Sequence, residues 1–245
     1  INDLPVSKSS ILVEKPLLTN IQDIENYRNI FHKHEITEAM MYRFGKSFDE
    51  IKSFFDKNKK SITEINLKFL IPITFNEIKN NFRGAYNNKS NIIYEIGCYI
   101  YDFVWSLGLK PNDLKLEEII FFSNGTLKKI TGSVKITQNM SFFNINFNFG
   151  YATIYQNDVQ LKTSQSSISQ TPFFWGRKSE VSIRQILNDK EEKTCFLQGN
   201  LYERLIISWY TNKKTTLNND LKSLERYKFI LENLYELEKK VFNNV

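Results

Sequence analysis

The chain has 245 residues, 41% of them hydrophobic and 24% charged, an ordinary globular composition, enough for one large domain or one domain with helical appendages. Its net charge of +6 is carried by scattered lysine and arginine pairs such as Arg177 with Lys178, so polyanions are admissible partners but no single basic block stands out. Two cysteines, Cys98 and Cys195, exclude a disulfide scaffold, and no apolar run approaches the ~18 residues a membrane span needs.

Residues 1–18, with Pro5 and Pro16 and no helical period, read as an extended arm. Helices then begin. Thr19-x-x-Gln22 has the form of a capping box, with Ile21, Ile24, Tyr27 and Phe31 on one face. A second helix is expected from Glu35 to Phe44, stopped by Gly45, and Ser47-x-x-Glu50 opens a third with Phe48, Ile51, Phe54 and Phe55 apolar. Residues 62–75 change to period two: Ile65, Leu67, Phe69, Ile71, Ile73 and Phe75 mark a strand with one buried face. Pro72 points to an edge or a bulge there. A short helix is expected from Asn76, and a stronger one over 90–107, ended by Gly108 and Pro111.

Residues 117–163 read as a β-meander. Ser123-Asn124-Gly125-Thr126 supplies a hairpin turn, and Phe143, Ile145, Phe147, Phe149 and Tyr151 alternate with Asn144, Asn146 and Asn148. Residues 163–172 read as a Ser/Gln loop, Phe173-Phe174-Trp175-Gly176 as an aromatic anchor, 181–187 as a helix and 188–193 as a charged loop. Helices over 200–211 and 217–243 finish the chain. In the last, Leu217, Leu221, Leu224, Tyr227, Leu231, Leu234, Leu237 and Val241 form a stripe at steps of three or four, which must be buried against something. Glu238 occupies the next strict heptad position and breaks its register.

Segregated strands and helices predict an α+β fold: a mostly antiparallel sheet of about five strands with N-terminal helices and a long C-terminal helix. The expected organisation is an arm at 1–18, an α+β domain at 19–211 and an amphipathic helix at 212–245.

Known chemical signatures are mostly absent. There is no G-x-x-x-x-G-K-[ST], no G-x-G-x-x-G and no G-x-S-x-G, and nine glycines leave little for a phosphate cradle. The only histidines, His32 and His34, lack the partners of a triad or a zinc site. Asp158-Val-Gln160-Leu-Lys162-Thr resembles the second half of the PD-(D/E)xK nuclease motif, with Glu95 on a preceding helix as an additional acid. That resemblance implies acids holding Mg²⁺ and a lysine orienting the attacking water. The acid expected near Tyr151–Thr153 is missing, so Glu95, Asp158, Gln160 and Lys162 are catalytic candidates under that reading only.

The leading expectation is therefore a non-catalytic interaction or assembly subunit near nucleic acid. It would contact a protein partner or a second copy through Phe173, Phe174, Trp175 and Arg177 and through Leu217, Leu224, Leu231 and Leu234, in the cytoplasm, with no cofactor and no metal. A Mg²⁺-dependent nuclease and a DNA/RNA-binding polyanion module are the alternatives.

Overall fold

The computed structural model describes residues 10–16, 19–72, 91–138, 141–211, 221 and 223–243. The helix expected from Asn76, and Leu217 of the C-terminal stripe, lie outside the described residues.

Part of the expected arm is a strand. β1 (Ser10–Val13) pairs in parallel with β2 (Glu35–Glu38), joined by α1 (Asp23–Lys33), so the three make one β-α-β unit. The helix expected over 35–44 is instead β2 followed by a 3₁₀ turn at Met41–Phe44. The reason is long-range pairing: β-branched Ile36 and Thr37 face Ile11 and Leu12 across the two strands. α1 is not capped by Thr19; Asn20 Oδ1 accepts from the Gln22 N–H instead. Next comes α2 (Lys46–Asn58), where the Ser47 hydroxyl donates to Gln198 Oε1 at 2.8 Å instead of capping the helix.

The main sheet contains β3 (Ile62–Pro72), β4 (Pro111–Phe121), β5 (Leu127–Gln138), β6 (Ser141–Ala152), β7 (Gln156–Thr163), β8 (Ser166–Thr171), β9 (Ser179–Leu187) and β10 (Lys190–Gln198). Its order is β10-β9-β8-β7-β3-β6-β5-β4. Eight strands, with β3 parallel to β6, correct the expected mostly antiparallel sheet of about five. Three strands went unforeseen because their local chemistry imitates other structure. β8 is serine-rich, but Ile168 and Gln170 alternate inward. β9 was expected to be a helix, yet β-branched Val181 and Ile183 bury one face. β10 carries the charges of an exposed edge strand. Asn188 and Asp189, both at positive φ, make the two-residue turn between them. Pro72 does not place β3 at an edge. It is the strand's last residue, and β3 lies between β6 and β7.

Two short helices, α3 (Asn91–Glu95) and α4 (Gly97–Ser106), replace the single helix expected over 90–107, with a break at Ile96. After the sheet come α5 (Leu201–Tyr210) and α6 (Leu224–Asn243). Phe143, Ile145, Phe147, Phe149 and Tyr151 of β6 are all buried among these helices, while Asn144, Asn146 and Asn148 lie on the more exposed opposite face. The C-terminal stripe is covered by the chain itself. Leu231, Leu234, Leu237 and Val241 are buried, and Leu224 is partly buried against the same core. Glu238, the residue that breaks the heptad register, accepts the Tyr94 hydroxyl of α3 at 2.5 Å.

The close strand packing requires glycine within the sheet. Gly150 of β6 has φ +138°, and a Cβ there would collide with the Lys128 carbonyl oxygen and the Lys129 Cα of β5. Gly150→Ala is expected to cost at least about 2 kcal/mol, from backbone strain plus overpacking. A denaturant titration with an unchanged slope and a lowered midpoint would show it.

A buried ion network fastens the β-α-β unit to the helices over the sheet. Arg226 of α6 pairs with Asp102 of α4 at 2.6 Å and with Glu38 of β2 at 2.9 Å. Arg43 adds an ion pair to Asp102 at 3.2 Å, and the Tyr42 hydroxyl donates to Asp102 at 2.6 Å. Two acids balance two guanidinium groups, and the side chains of Asp102 and Arg226 have no exposed surface.

Candidate active site

At the C-terminal end of β1 the chain runs Glu14-Lys15-Pro16, with a cis Lys15–Pro16 bond. The Lys15 side chain reaches across to the start of the helical layer. Its ammonium donates to the Glu95 carbonyl oxygen at 2.6 Å and stands 4.5 Å from the centre of the Tyr99 ring. Lys15 is half-buried, at the edge of the core. The break between α3 and α4 makes this possible. It exposes the Glu95 carbonyl to Lys15 while the Glu95 carboxylate turns to the sheet, where the Tyr151 hydroxyl donates to it at 3.3 Å. Gly97 allows the close approach. A Cβ there would lie 2.9 Å from Leu234 Cδ2 and 3.3 Å from Phe149 Cζ.

Lys15 and the groups bonded around it lie at the carboxyl ends of parallel strands, β1 in one sheet and β3 with β6 in the other. Open sheets with parallel strands place ligands there. Ile71 and Tyr151 face each other at the end of β3 and β6. Phe122 packs on Tyr151 with ring centres 6.2 Å apart.

The phenols and the thiol around Lys15 hold their protons. Burial pushes the Tyr99 phenol well above its ordinary value, and the acidic neighbours Glu14 and Glu38 reinforce the shift. The Tyr99 hydroxyl donates to the thioether of Met41 at 3.5 Å, a weak acceptor that a more basic oxygen would displace. Burial also raises the Cys98 thiol to about 12, against the opposing field of Lys15, so it is neither nucleophile nor ligand at neutral pH. Tyr202 is raised first by burial and then by Glu14. The site thus offers an ammonium and a neutral phenol side by side. Both are donors suited to an oxygen atom that gains negative charge.

The sequence-derived candidates fall in different places. Glu95 is beside Lys15, but as a positioning residue for Lys15 and Tyr151. The Asp158, Gln160 and Lys162 side chains line the opposite, polar face of the sheet. There Asp158 accepts the Thr171 hydroxyl, Gln160 accepts from Asn66, and Lys162 pairs with Glu64 at 2.8 Å. That pair is substantially exposed, so Lys162→Ala should move stability by no more than about 1 kcal/mol, measurable in a thermal melt. The nuclease constellation does not assemble, because the sheet separates its members. Phe173 and Phe174 are buried. Asn157 Oδ1 accepts from both of their backbone N–H groups, and their rings pack on Tyr42 and Phe103. Trp175 is partly exposed and Arg177 exposed. Leu224, Leu231 and Leu234 belong to the core described above.

Lys15 was missed because a lone charged pair before a proline is a weak signal. The available clue was the apolar run Ile11-Leu12-Val13 ending abruptly in Glu14-Lys15-Pro16, the profile of a short strand stopping at a polar end.

Neither a family model nor a curated protein sequence matches the chain. Solved structures do. The aldose-aldose oxidoreductase of Caulobacter crescentus, complexed with glycerol, is similar with a TM-score of 0.75 at 12% identity, over 96% of this chain and 71% of that one. KijD10, a 3-ketoreductase of Actinomadura kijaniata in complex with NADP and TDP-benzene, gives 0.67 at 13% identity, over 90% and 69%. The putative oxidoreductase YvaA of Bacillus subtilis gives 0.66 at 11%, over 96% and 72%. At this level of identity the likeness shows a shared fold.

This likeness overturns the expectation of a non-catalytic assembly subunit, together with the nuclease and polyanion-binding alternatives, since the structures that share the fold are oxidoreductases. It also overturns the expectation of no cofactor, or of Mg²⁺ alone, since the ketoreductase structures contain NADP. No helix among the described residues is long and apolar enough to cross a membrane.

Proposed function

We propose that the chain carries the proton-transfer and substrate-binding site of an oxidoreductase that interconverts a carbonyl and a hydroxyl on a sugar-like substrate. The observation that carries this reading is the placement of Lys15, an ammonium held half-buried between the Glu95 carbonyl and the face of Tyr99 at the end of a parallel strand. The neighbours include a 3-ketoreductase in complex with NADP and TDP-benzene and an aldose-aldose oxidoreductase, and the latter supports a sugar-like substrate here.

Reduction of a carbonyl adds a hydride to carbon and a proton to oxygen. A nicotinamide supplies the hydride when bound. This chain's residues handle the oxygen. Lys15 is placed to donate a proton as negative charge develops, and Tyr99, whose proton burial retains, to donate a hydrogen bond to the same atom. Glu95 fixes Lys15 through its carbonyl and Tyr151 through its carboxylate, so the donors are preorganised.

The fit to a dinucleotide is partial. Lys15 and Tyr99 suit the reacting end. The sequence has no G-x-G-x-x-G turn for the phosphates, and the described residues contain a single β-α-β unit at β1 and β2. No step is therefore assigned to residues holding the phosphates.

The test is a panel of aldoses and keto-sugars incubated with the chain and NADPH or NADH, followed by nicotinamide absorbance. Substrate-dependent oxidation of the cofactor is the expected result; its absence across the panel with both cofactors would overturn the proposal.

A further inference from the structure

The loop that carries Phe173 and Phe174 into the core leaves the next residue unused by the packing. Trp175 is only partly buried, and among the described residues its indole N–H has no hydrogen-bond acceptor. It meets Tyr155 edge to face with ring centres 5.7 Å apart. Tyr155 is 37% exposed, a large aromatic surface to leave in water.

The register places this pair on the rim of the site described above. Phe69 of β3 faces Asn157 of β7, and Ile71, two residues further along β3, faces Tyr151 of β6. Tyr155, two residues before Asn157, therefore continues the row of Ile71 and Tyr151 across the end of the sheet. Trp175 directly follows Phe174, whose ring centre lies 5.7 Å from that of Tyr99. On its other side Gly176 packs on Met41 and Tyr202. The loop is thus flanked by Tyr99 and Met41, the residues next to Lys15.

The pair is also held in place. The Asn157 amide donates to the Tyr155 hydroxyl at 2.7 Å, while the same amide's oxygen takes the N–H groups of Phe173 and Phe174. One asparagine therefore fixes both the tyrosine ring and the loop that bears the tryptophan. Preorganised aromatic surface with polar tips suits a ligand that has an apolar C–H face and hydroxyls at its edge.

We propose that Tyr155 and Trp175 form an aromatic wall that determines specificity, stacking on the C–H face of a cyclic polyhydroxylated substrate and selecting rings over linear polyols. This rests on the proposed function and names the substrate feature that site reads. It assigns no chemistry to the pair: it contributes binding, not proton transfer.

Two measurements on the full chain test it separately from that reading. The first is intrinsic tryptophan fluorescence titrated with methyl α-D-glucopyranoside and, in parallel, with glycerol. A saturable change is expected with the glucoside, none with glycerol at the same concentrations, and loss of the change in Trp175→Phe. The second is steady-state kinetics of Trp175→Ala on whichever cyclic substrate the panel identifies. KM is expected to rise about 10- to 200-fold, the range for a lost apolar contact, with kcat within about threefold and partial recovery in Trp175→Tyr. Fluorescence blind to the glucoside, or a KM unchanged in Trp175→Ala, overturns the wall even if Lys15 proves essential. A glucoside signal that requires Trp175 but no turnover upholds the wall and removes the oxidoreductase reading.

Discussion

Replacing Lys15 by alanine is expected to lower kcat/KM by about 10²- to 10⁴-fold, the range for removing a positioned general acid. The folded structure should survive. Lys15 is half-buried at the end of β1, and the variant loses one hydrogen bond to the Glu95 carbonyl and a cation–ring contact with Tyr99, together about 1–2 kcal/mol. Lys15→Met separates the two effects further. It keeps the aliphatic stem against Tyr99 and removes only the ammonium, so its stability should lie nearer the wild type while its activity matches that of the alanine variant. Tyr99→Phe should lose less than Lys15→Ala, because the phenol contributes one neutral hydrogen bond. Far-ultraviolet circular dichroism and a denaturant midpoint, run beside the kinetics, distinguish lost chemistry from lost fold. Equal activity in wild type and Lys15→Met would remove Lys15 from the reaction.

The largest effect on stability is expected at Arg226. Its guanidinium lies between Asp102 and Glu38 with no exposed surface, so Arg226→Met removes the positive charge that both buried carboxylates face. Breaking a fully buried network from one side costs about 3–5 kcal/mol. In a chain of this size that corresponds to a fall in Tm of roughly 6–20 °C. The same network gives a pH dependence. Burial by itself would raise the Asp102 carboxyl, but Arg226, Arg43 and the Tyr42 hydroxyl outweigh it and hold the group below the usual carboxylate range. A carboxyl depressed on folding stabilises the folded state above its unfolded value of about 3.9 and loses that contribution as pH falls through the lower folded value. Acid unfolding should therefore steepen below about pH 4 in the wild type and be shallower in Asp102→Asn, with the variant less stable at neutral pH. A neutral-pH midpoint unchanged in Arg226→Met would contradict this account of how the β-α-β unit is fastened to the sheet.

Much of the fold was legible where a pattern was long. The alternation of Phe143 to Tyr151 located the sheet's buried face, Asn124-Gly125 located the β4–β5 turn, and the leucine stripe located α6. The stripe was legible as something that must be buried but not as to what buries it, because its cover comes from α3, α4 and β4, distant in sequence. β8, β9 and β10 were lost because serine, an ambiguous short apolar run and exposed edge charges carry no strong strand signal without their neighbours. The parallel pairing of β3 with β6 depends on a crossover that no local pattern encodes. For the site, Glu95 was visible and wrongly grouped. Its spacing to Gln160 and Lys162 in sequence says nothing about the sheet that stands between them. Lys15 and Tyr99 are 84 residues apart, and only the fold brings the ammonium over the ring. Trp175 stood out as an aromatic its surroundings do not fully bury, and its neighbours Phe173 and Phe174 show how little a run of aromatics says about which ring faces out.

The most direct test follows the transferred atom. Deuterium-labelled NADPH, the chain and a cyclic keto-sugar are incubated together, and the product is weighed by mass spectrometry beside the same reaction with Lys15→Met. The account predicts one deuterium gained at the reduced carbon with the wild-type chain and background incorporation with the folded variant. Equal incorporation by both, or none by the wild type, would contradict it.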